Sequence, residues 1–393
     1  MDEDRQGREA IGASAAALAA ELVGIDSVNP GLVAGAAGEG AIVEHLRSRL
    51  DASGFVTHVL APDGRPERPS LLAVPPSGPS GPTVVLTGHL DTVGVGSMAD
   101  GLEARVVGDR LIGRGACDMK GGAAAMVVAA EELARRGAAA RVVLALVADE
   151  EDLSLGTETV LEALPGAGVR PDVAVVGEPT WLALTETLRG YALVEVLLTG
   201  REAHSSQPEQ GVNAVAHLGR LLAAVETRGV EVSAGGGSLM ATVAQGGESP
   251  FVLARSARVV IERRTVPGEP AADALPEVES LLDGLRATDP TVQASARLLT
   301  AREAWRMDEH GPAATLSTRL RAALGPDAPG QGFHAPYWME APLWQAAGIP
   351  ALVCGPAGGG LHAADEWVDL GQVRRYAAAL TEAVEEWAAE HAN

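Results

Sequence analysis

The sequence predicts an α/β fold, a sheet covered by helices and interrupted by a smaller ferredoxin-like α+β module, on three observations. Short apolar runs alternate with helical stretches between Thr83 and Gly200, the order then changes to β-α-β-β-α-β, and α/β character returns in the final segment. Thr83–Thr87 reads as the first of these strands. Gly122–Arg136 reads as a helix closed by Gly137, which accepts the conformation of a C-cap, after Arg135 and Arg136, whose charges suit a helix C-terminus. Arg141–Ala148 and Asp172–Val176 are the next strands. Tyr191–Thr199, Val212–Thr227, Ser238–Gln245, Ser256–Arg264, Ala272–Leu285 and Val292–Leu298 read in turn as strand, helix, strand, strand, helix and strand. Such a module spans roughly a hundred residues, a usual domain size. Pro350–Cys354 is a last sheet strand and Leu370–Ala389 a closing helix, while Gly/Pro/Ser clusters at 75–82, 233–238 and 326–332 are expected loops.

At 393 residues the chain exceeds one ordinary core, which agrees with a domain that carries a large insertion. Hydrophobic residues at 47% and charged ones at 21% are the balance of a soluble globular enzyme and exclude a disordered or fibrous chain. Acidic residues outnumber basic ones by 52 to 30, so a surface of net charge -22 repels nucleic acid and anionic lipid. The acidic start Asp2-Glu3-Asp4 and the run Ala15–Ala20, cut short by Glu21, match neither a signal peptide nor a membrane span. With Cys117 and Cys354 the only cysteines, and far apart, no disulfide framework is expected and a reducing, cytoplasmic setting fits.

The potential ligands fall at strand ends. His89 follows Thr83–Thr87, Glu150 and Glu151 follow Val142–Val147, Glu178 follows Val173–Val176, and His362 lies past Ala351–Cys354. Sites of open α/β sheets form beyond the carboxyl ends of the strands, so these segments converge. Asp118, just before Gly121-Gly122, completes the set. Each residue alone reads as structural or as a solvated loop; their conjunction points to a pair of divalent cations, zinc first, with cobalt and manganese as alternatives. Asp91, two residues beyond His89, is placed to accept the second imidazole N–H.

The strings Gly88–Val93, Gly113–Gly122, Asp149–Glu151, Gly177–Thr180, Ala203–Ser206 and His362–Glu366 together resemble the M20 metallopeptidase family, which includes acetylornithine deacetylase, succinyl-diaminopimelate desuccinylase and glutamate carboxypeptidase. The resemblance covers the chain from Ser27 to Val368. It implies a metal-dependent catalytic domain with a central mixed sheet, residues 1–187 and 300–393, interrupted by a lid and dimerisation domain, 188–299. It further implies one metal on His89 and Glu178, another on Glu151 and His362, Asp118 bridging them, and a homodimer through the lid.

By the same resemblance Glu150 is the general base, Asp91 orients His89, and His204 donates to the oxyanion from its own subunit or from the partner. Arg264 grips a substrate carboxylate, a task for which a guanidinium fork is suited. Asn213 and Gly355 assist in binding, with a helix start and a plain turn as the competing readings. The sequence departs from the family at Gly355–Gly360, at Glu262 beside the arginine, and at Glu340, which with Tyr337 and Trp338 is expected to shape the substrate pocket. Cys117 reads as a small buried side chain. The reaction expected is removal of an N-acyl group from an amino acid by attack of a water bridging the metals. The alternatives are a carboxypeptidase or dipeptidase of the same family and, more remotely, a silent metal-binding scaffold.

Overall fold

The computed structural model describes residues 2–76, 81–326, 329–330 and 332–391, so the loops expected at 75–82 and 326–332 lie partly outside the described residues. The chain divides into two compact units. The first comprises Met1–Glu186, Met307–Phe333 and Met339–Asn393, the second Thr187–Arg306 and His334–Trp338.

The first unit is built on a six-stranded mixed sheet in the order Val56–Leu60, Ser70–Val74, Arg141–Val147, Thr83–His89, Val173–Val176 and Ala351–Val353. The last four run parallel, and the two at the other edge pair antiparallel. Thr83–His89 is buried along its whole length, which is why its middle, Val84–Leu86, is an unbroken apolar run rather than an alternating one. Helix Gly121–Arg136 packs on this strand and its neighbour Arg141–Val147, and against helices Asp2–Val23 and Leu370–His391. Its residues Ala123–Ala130 are all buried. Gly137 caps the helix in the left-handed conformation at φ 64°, with N–H bonds from Gly137 to Ala134 and from Ala138 to Leu133.

In the second unit an antiparallel sheet runs in the order Ser238–Gly246, Ser256–Thr265, Gly190–Thr199, Gln293–Arg302. Helices Ala214–Ala234 and Ala274–Thr288 bury Leu221, Val225, Val278 and Leu282 against Val194, Val196, Val259 and Ile261. This is the ferredoxin-like strand order. The first helix runs seven residues past the expected end at Thr227. Gly229 costs roughly 1 kcal/mol relative to Ala within a helix, but burial of Val225 and Val232 outweighs it at roughly 1.5–3 kcal/mol for each fully buried side chain. A side chain at Gly229 would meet the Leu239 carbonyl at 2.5 Å, so glycine lets the helix pass the strand beside it. The loop expected at 233–238 accordingly shrinks to Gly235–Gly237.

Candidate metal centre

The central strand Thr83–His89 has Arg141–Val147 on one side and Val173–Val176 on the other, so the chain order reverses across it. The crevice beyond such a strand is where α/β sheets build sites. His89 ends this strand; the chain leaves the flanking strands into Asp149–Glu151 and Glu178. Asp118 lies in a single wide turn, Ala116–Lys120, that leads directly into helix Gly121–Arg136. His362, at φ 59° in the left-handed region, lies between the short strands Gly358–Gly359 and Trp367–Asp369.

Asp118 stands between the two imidazoles with one oxygen turned to each. Oδ1 lies 3.1 Å from His89 Nε2 and Oδ2 3.3 Å from His362 Nε2. Glu151 Oε2 lies 3.1 Å from His362 Nε2, and Glu178 Oε1 lies 3.9 Å from His89 Nε2. Ligand atoms of His89, Asp118 and Glu151 fall within 4.8 Å of one another, and so do those of His89, Glu150 and Glu178. All five expected ligands are thus together, with Glu150 beside the His89 and Glu178 pair.

This cluster holds more acid than its imidazoles balance. Burial, joined by the charge of Glu178, pushes the Glu150 carboxyl well up; burial also raises Glu178 and Glu151, with Asp118 adding to both. Asp118 itself is held low, because hydrogen bonds from His362 and His89 outweigh its burial. Crowded, dry carboxylates beside imidazoles are a donor set that fits divalent cations.

Hydrogen bonds to Asp118 and Glu151 push His362 up from 6.5 to about 10, and His89 rises as well, since Asp118, Glu178 and Glu150 outweigh the burial that would lower it. A group whose pKa is raised on folding stabilises the fold fully below its unfolded pKa and loses that contribution as pH rises through its folded pKa. The melting temperature of chelator-treated protein is therefore expected to fall from about pH 6.5 to about pH 10. Saturating zinc should flatten that slope. Thermal denaturation across this range checks it, and a pH-independent chelated protein would contradict the charge balance described.

Two clamps hold the ligands. His89 Nδ1 donates to the backbone carbonyl of Asp91 at 2.9 Å, while the nearest oxygen of its carboxylate is 3.6 Å away. This corrects the expected role of the Asp91 side chain: the chain's turn after the strand aims the carbonyl at the ring and frees the carboxylate to accept the N–H groups of Glu150 at 3.1 Å and Glu151 at 3.3 Å. The Glu366 carboxylate, buried, accepts from Gly115, Cys117 and Asp118 N–H and from Arg114 Nη1, and Arg114 Nη2 donates to Ala363. The turn bearing Asp118 is thereby tied to the loop bearing His362. Glu366→Ala would leave the buried Arg114 charge without its partner, and a loss of about 3–5 kcal/mol in urea unfolding is expected. An unchanged midpoint would refute the clamp.

The remaining expected residues divide. His204, in the second unit, is exposed; Ser206 N–H donates to its Nδ1 at 3.2 Å, so the neutral ring carries its proton on Nε2. Arg264 has Nε paired with Glu262 and its guanidinium over the Tyr191 ring at 5.2 Å, which orients the fork. Asn213 is a helix cap, its Oδ1 accepting Val215 N–H at 3.1 Å. Gly355 offers no backbone to a substrate: its N–H goes to Thr180 Oγ1, and its carbonyl takes the N–H groups of Thr180 and Leu182. A side chain there would meet the Gly177 carbonyl at 2.3 Å, so this glycine serves close packing. Glu340 is buried, and its charge acts on Glu150 and Glu178. Cys117 is fully buried.

Residues 85–386 match the model of peptidase family M20/M25/M40. The chain is 30% identical over 361 residues to an acetylornithine deacetylase of Myxococcus xanthus, covering 87% of this chain and 91% of the relative. It is 32% identical over 297 residues to a putative succinyl-diaminopimelate desuccinylase of Mycobacterium tuberculosis, covering 74% and 78%. Its fold is similar to that of a Bacillus subtilis dinuclear metal binding peptidase from the M20 family, with a TM-score of 0.71, 15% identity and coverage of 97% and 99%.

Proposed function

The chain belongs to peptidase family M20/M25/M40, and we propose that within it the protein is a deacylase that removes an N-acyl group from an amino acid. The observation that carries the site is Asp118, whose two oxygens face different imidazoles, as a residue shared between two metal positions would. His89 and Glu178 would hold one ion, Glu151 and His362 the other, and zinc suits this set of imidazoles and carboxylates. Two such dications supply Lewis acidity for a carbonyl oxygen and lower the pKa of water toward neutrality.

The chain's own residues do the rest. The Glu150 carboxylate accepts a proton from the attacking water and returns it to the departing amine nitrogen, one group serving as base and then acid. The Nε2–H of His204 donates to the oxygen that becomes negative, and Arg264 receives the substrate carboxylate bidentately. The names of the relatives support an acylated amino acid as substrate over a dipeptide or a carboxypeptidase substrate. We further assign the first unit, expected at 1–187 and 300–393, to catalysis, and the second, expected at 188–299 and extending over Thr187–Arg306 and His334–Trp338, to a lid that joins two copies as a homodimer. Among the described residues no helix is long and apolar enough to cross a membrane, and the acidic, disulfide-poor chain suits the cytoplasm.

The test offers N-acetyl-ornithine, N-succinyl-diaminopimelate, N-acyl-glutamate and dipeptides, with and without chelator, followed by zinc, cobalt or manganese. Metal-restored hydrolysis with the highest kcat/KM on an N-acyl amino acid is expected. Turnover of dipeptides alone would overturn the substrate reading.

A further inference from the structure

The turn Asp149-Glu150-Glu151 is held from behind by a chain of buried polar groups. The Asp91 carboxylate that accepts the N–H groups of Glu150 and Glu151 also accepts Asn29 Nδ2 at 2.7 Å. The same Asn29 amide donates to Asp149 Oδ1 at 3.2 Å. Arg68 Nη1 reaches that oxygen at 2.7 Å, and Arg68 is itself gripped by Glu39, through Nε at 3.0 Å and Nη2 at 2.6 Å. Asn29, Asp91, Asp149, Arg68 and Glu39 are all buried, none more than 1% exposed.

Three carboxylates here face one guanidinium, so the arrangement is negative in a dry interior where like charges repel strongly. Asn29 separates Asp91 from Asp149 by giving each an amide hydrogen, and its Oδ1 and backbone N–H are anchored by Gly31 N–H and the Thr92 carbonyl. Asp149 stands at φ 70°, a left-handed conformation that a non-glycine residue keeps only where surrounding contacts over-determine it. Arg68 and Asn29 supply those contacts.

We propose that Asn29 and Arg68 are positioning residues for the reaction: they fix the Asp149 turn and with it where the Glu150 and Glu151 carboxylates stand. This rests on the reading of Glu150 as base and Glu151 as ligand. Asn29→Ala removes both amide bonds without removing a charge, so the facing carboxylates spread and both ends of the turn shift. Arg68→Lys keeps the charge and loses the fork that spans Glu39 and Asp149.

The test compares both variants with the wild-type protein in zinc affinity, in kcat and KM, and in melting temperature. Partners of this kind are worth about 10–100-fold in metal affinity or activity. A loss of that size in zinc affinity or in kcat, with KM little changed and at matched folded content, is the expected result. Unchanged zinc affinity and unchanged kcat at a lowered melting temperature would show a merely structural network and overturn the proposal. If Arg68→Lys fails to fold, Asn29→Ala decides alone. A wild-type protein that binds zinc yet hydrolyses none of the amides offered would sink the deacylase reading, while the zinc-affinity comparison would still decide this one.

Discussion

Glu150→Ala is expected to retain two equivalents of metal and to lose hydrolysis by about 10²–10⁴-fold, the range that a positioned acid–base group contributes. The loss should fall on kcat, because the substitution removes a proton carrier and leaves Arg264 and the metal positions intact. Burial and Glu178 raise the Glu150 carboxyl, so in the metal-free protein it keeps its proton to unusually high pH. Two dications held beside it would oppose that effect and favour the ionised form in which it accepts a proton. Because Glu150 also lies within ligand reach of His89 and Glu178, metal content is the decisive companion measurement. Retention of two equivalents with hydrolysis lost assigns the base; loss of one equivalent makes Glu150 a ligand; unchanged hydrolysis excludes both.

Asp118→Ala should cost metal as well as activity, because it removes the group facing both imidazoles. Both metal equivalents are expected to be lost on dialysis, and kcat/KM to fall by about 10³-fold or more, since bound ions supply several kcal/mol of transition-state stabilisation. His362→Ala offers the contrast: it touches Asp118 and Glu151 but not the His89 and Glu178 pair, so one equivalent should remain. Elemental analysis after dialysis, alongside activity, separates the two. Equal metal loss in both variants would remove Asp118 from its shared position.

What was legible in the sequence was whatever is written locally. The run Thr83–Thr87 followed by His89, and the recurrence of His, Asp or Glu at the ends of other apolar runs, placed the ligands on one edge of a sheet before any coordinates. The β-α-β-β-α-β order was equally plain, because each element carries its own periodicity. Illegible were the directions of backbone groups and the contacts between distant segments. Asp91 was the right residue to hold His89, but the carbonyl does so, and no sequence pattern distinguishes a carbonyl from a carboxylate two atoms away. For Gly355 the resemblance implied backbone offered to a substrate, with a plain turn as the competing reading, and neither reveals that its neighbours fill the space a side chain would take. Asn29, Glu39 and Arg68 gave no signal, and Arg114, though inside the Gly113–Gly122 string, was given no role, since each acts only on partners brought near by the fold.

The Arg114–Glu366 clamp has a consequence for biosynthesis. Gly115, Cys117 and Asp118 wait on a carboxylate about 250 residues further along the chain, and His362 arrives in the same stretch. Proteins emerge from the ribosome N-terminus first, so a nascent chain that has reached only Arg306 has His89, Asp118, Glu151 and Glu178 but neither His362 nor Glu366. Such a chain lacks the strand Ala351–Val353 that ends the sheet and the helix Leu370–His391 that covers helix Gly121–Arg136. The position shared by Glu151 and His362 would therefore take its ion only after this later segment has docked, whereas His89 and Glu178 are in place earlier, so the two ions would be captured at different stages of folding.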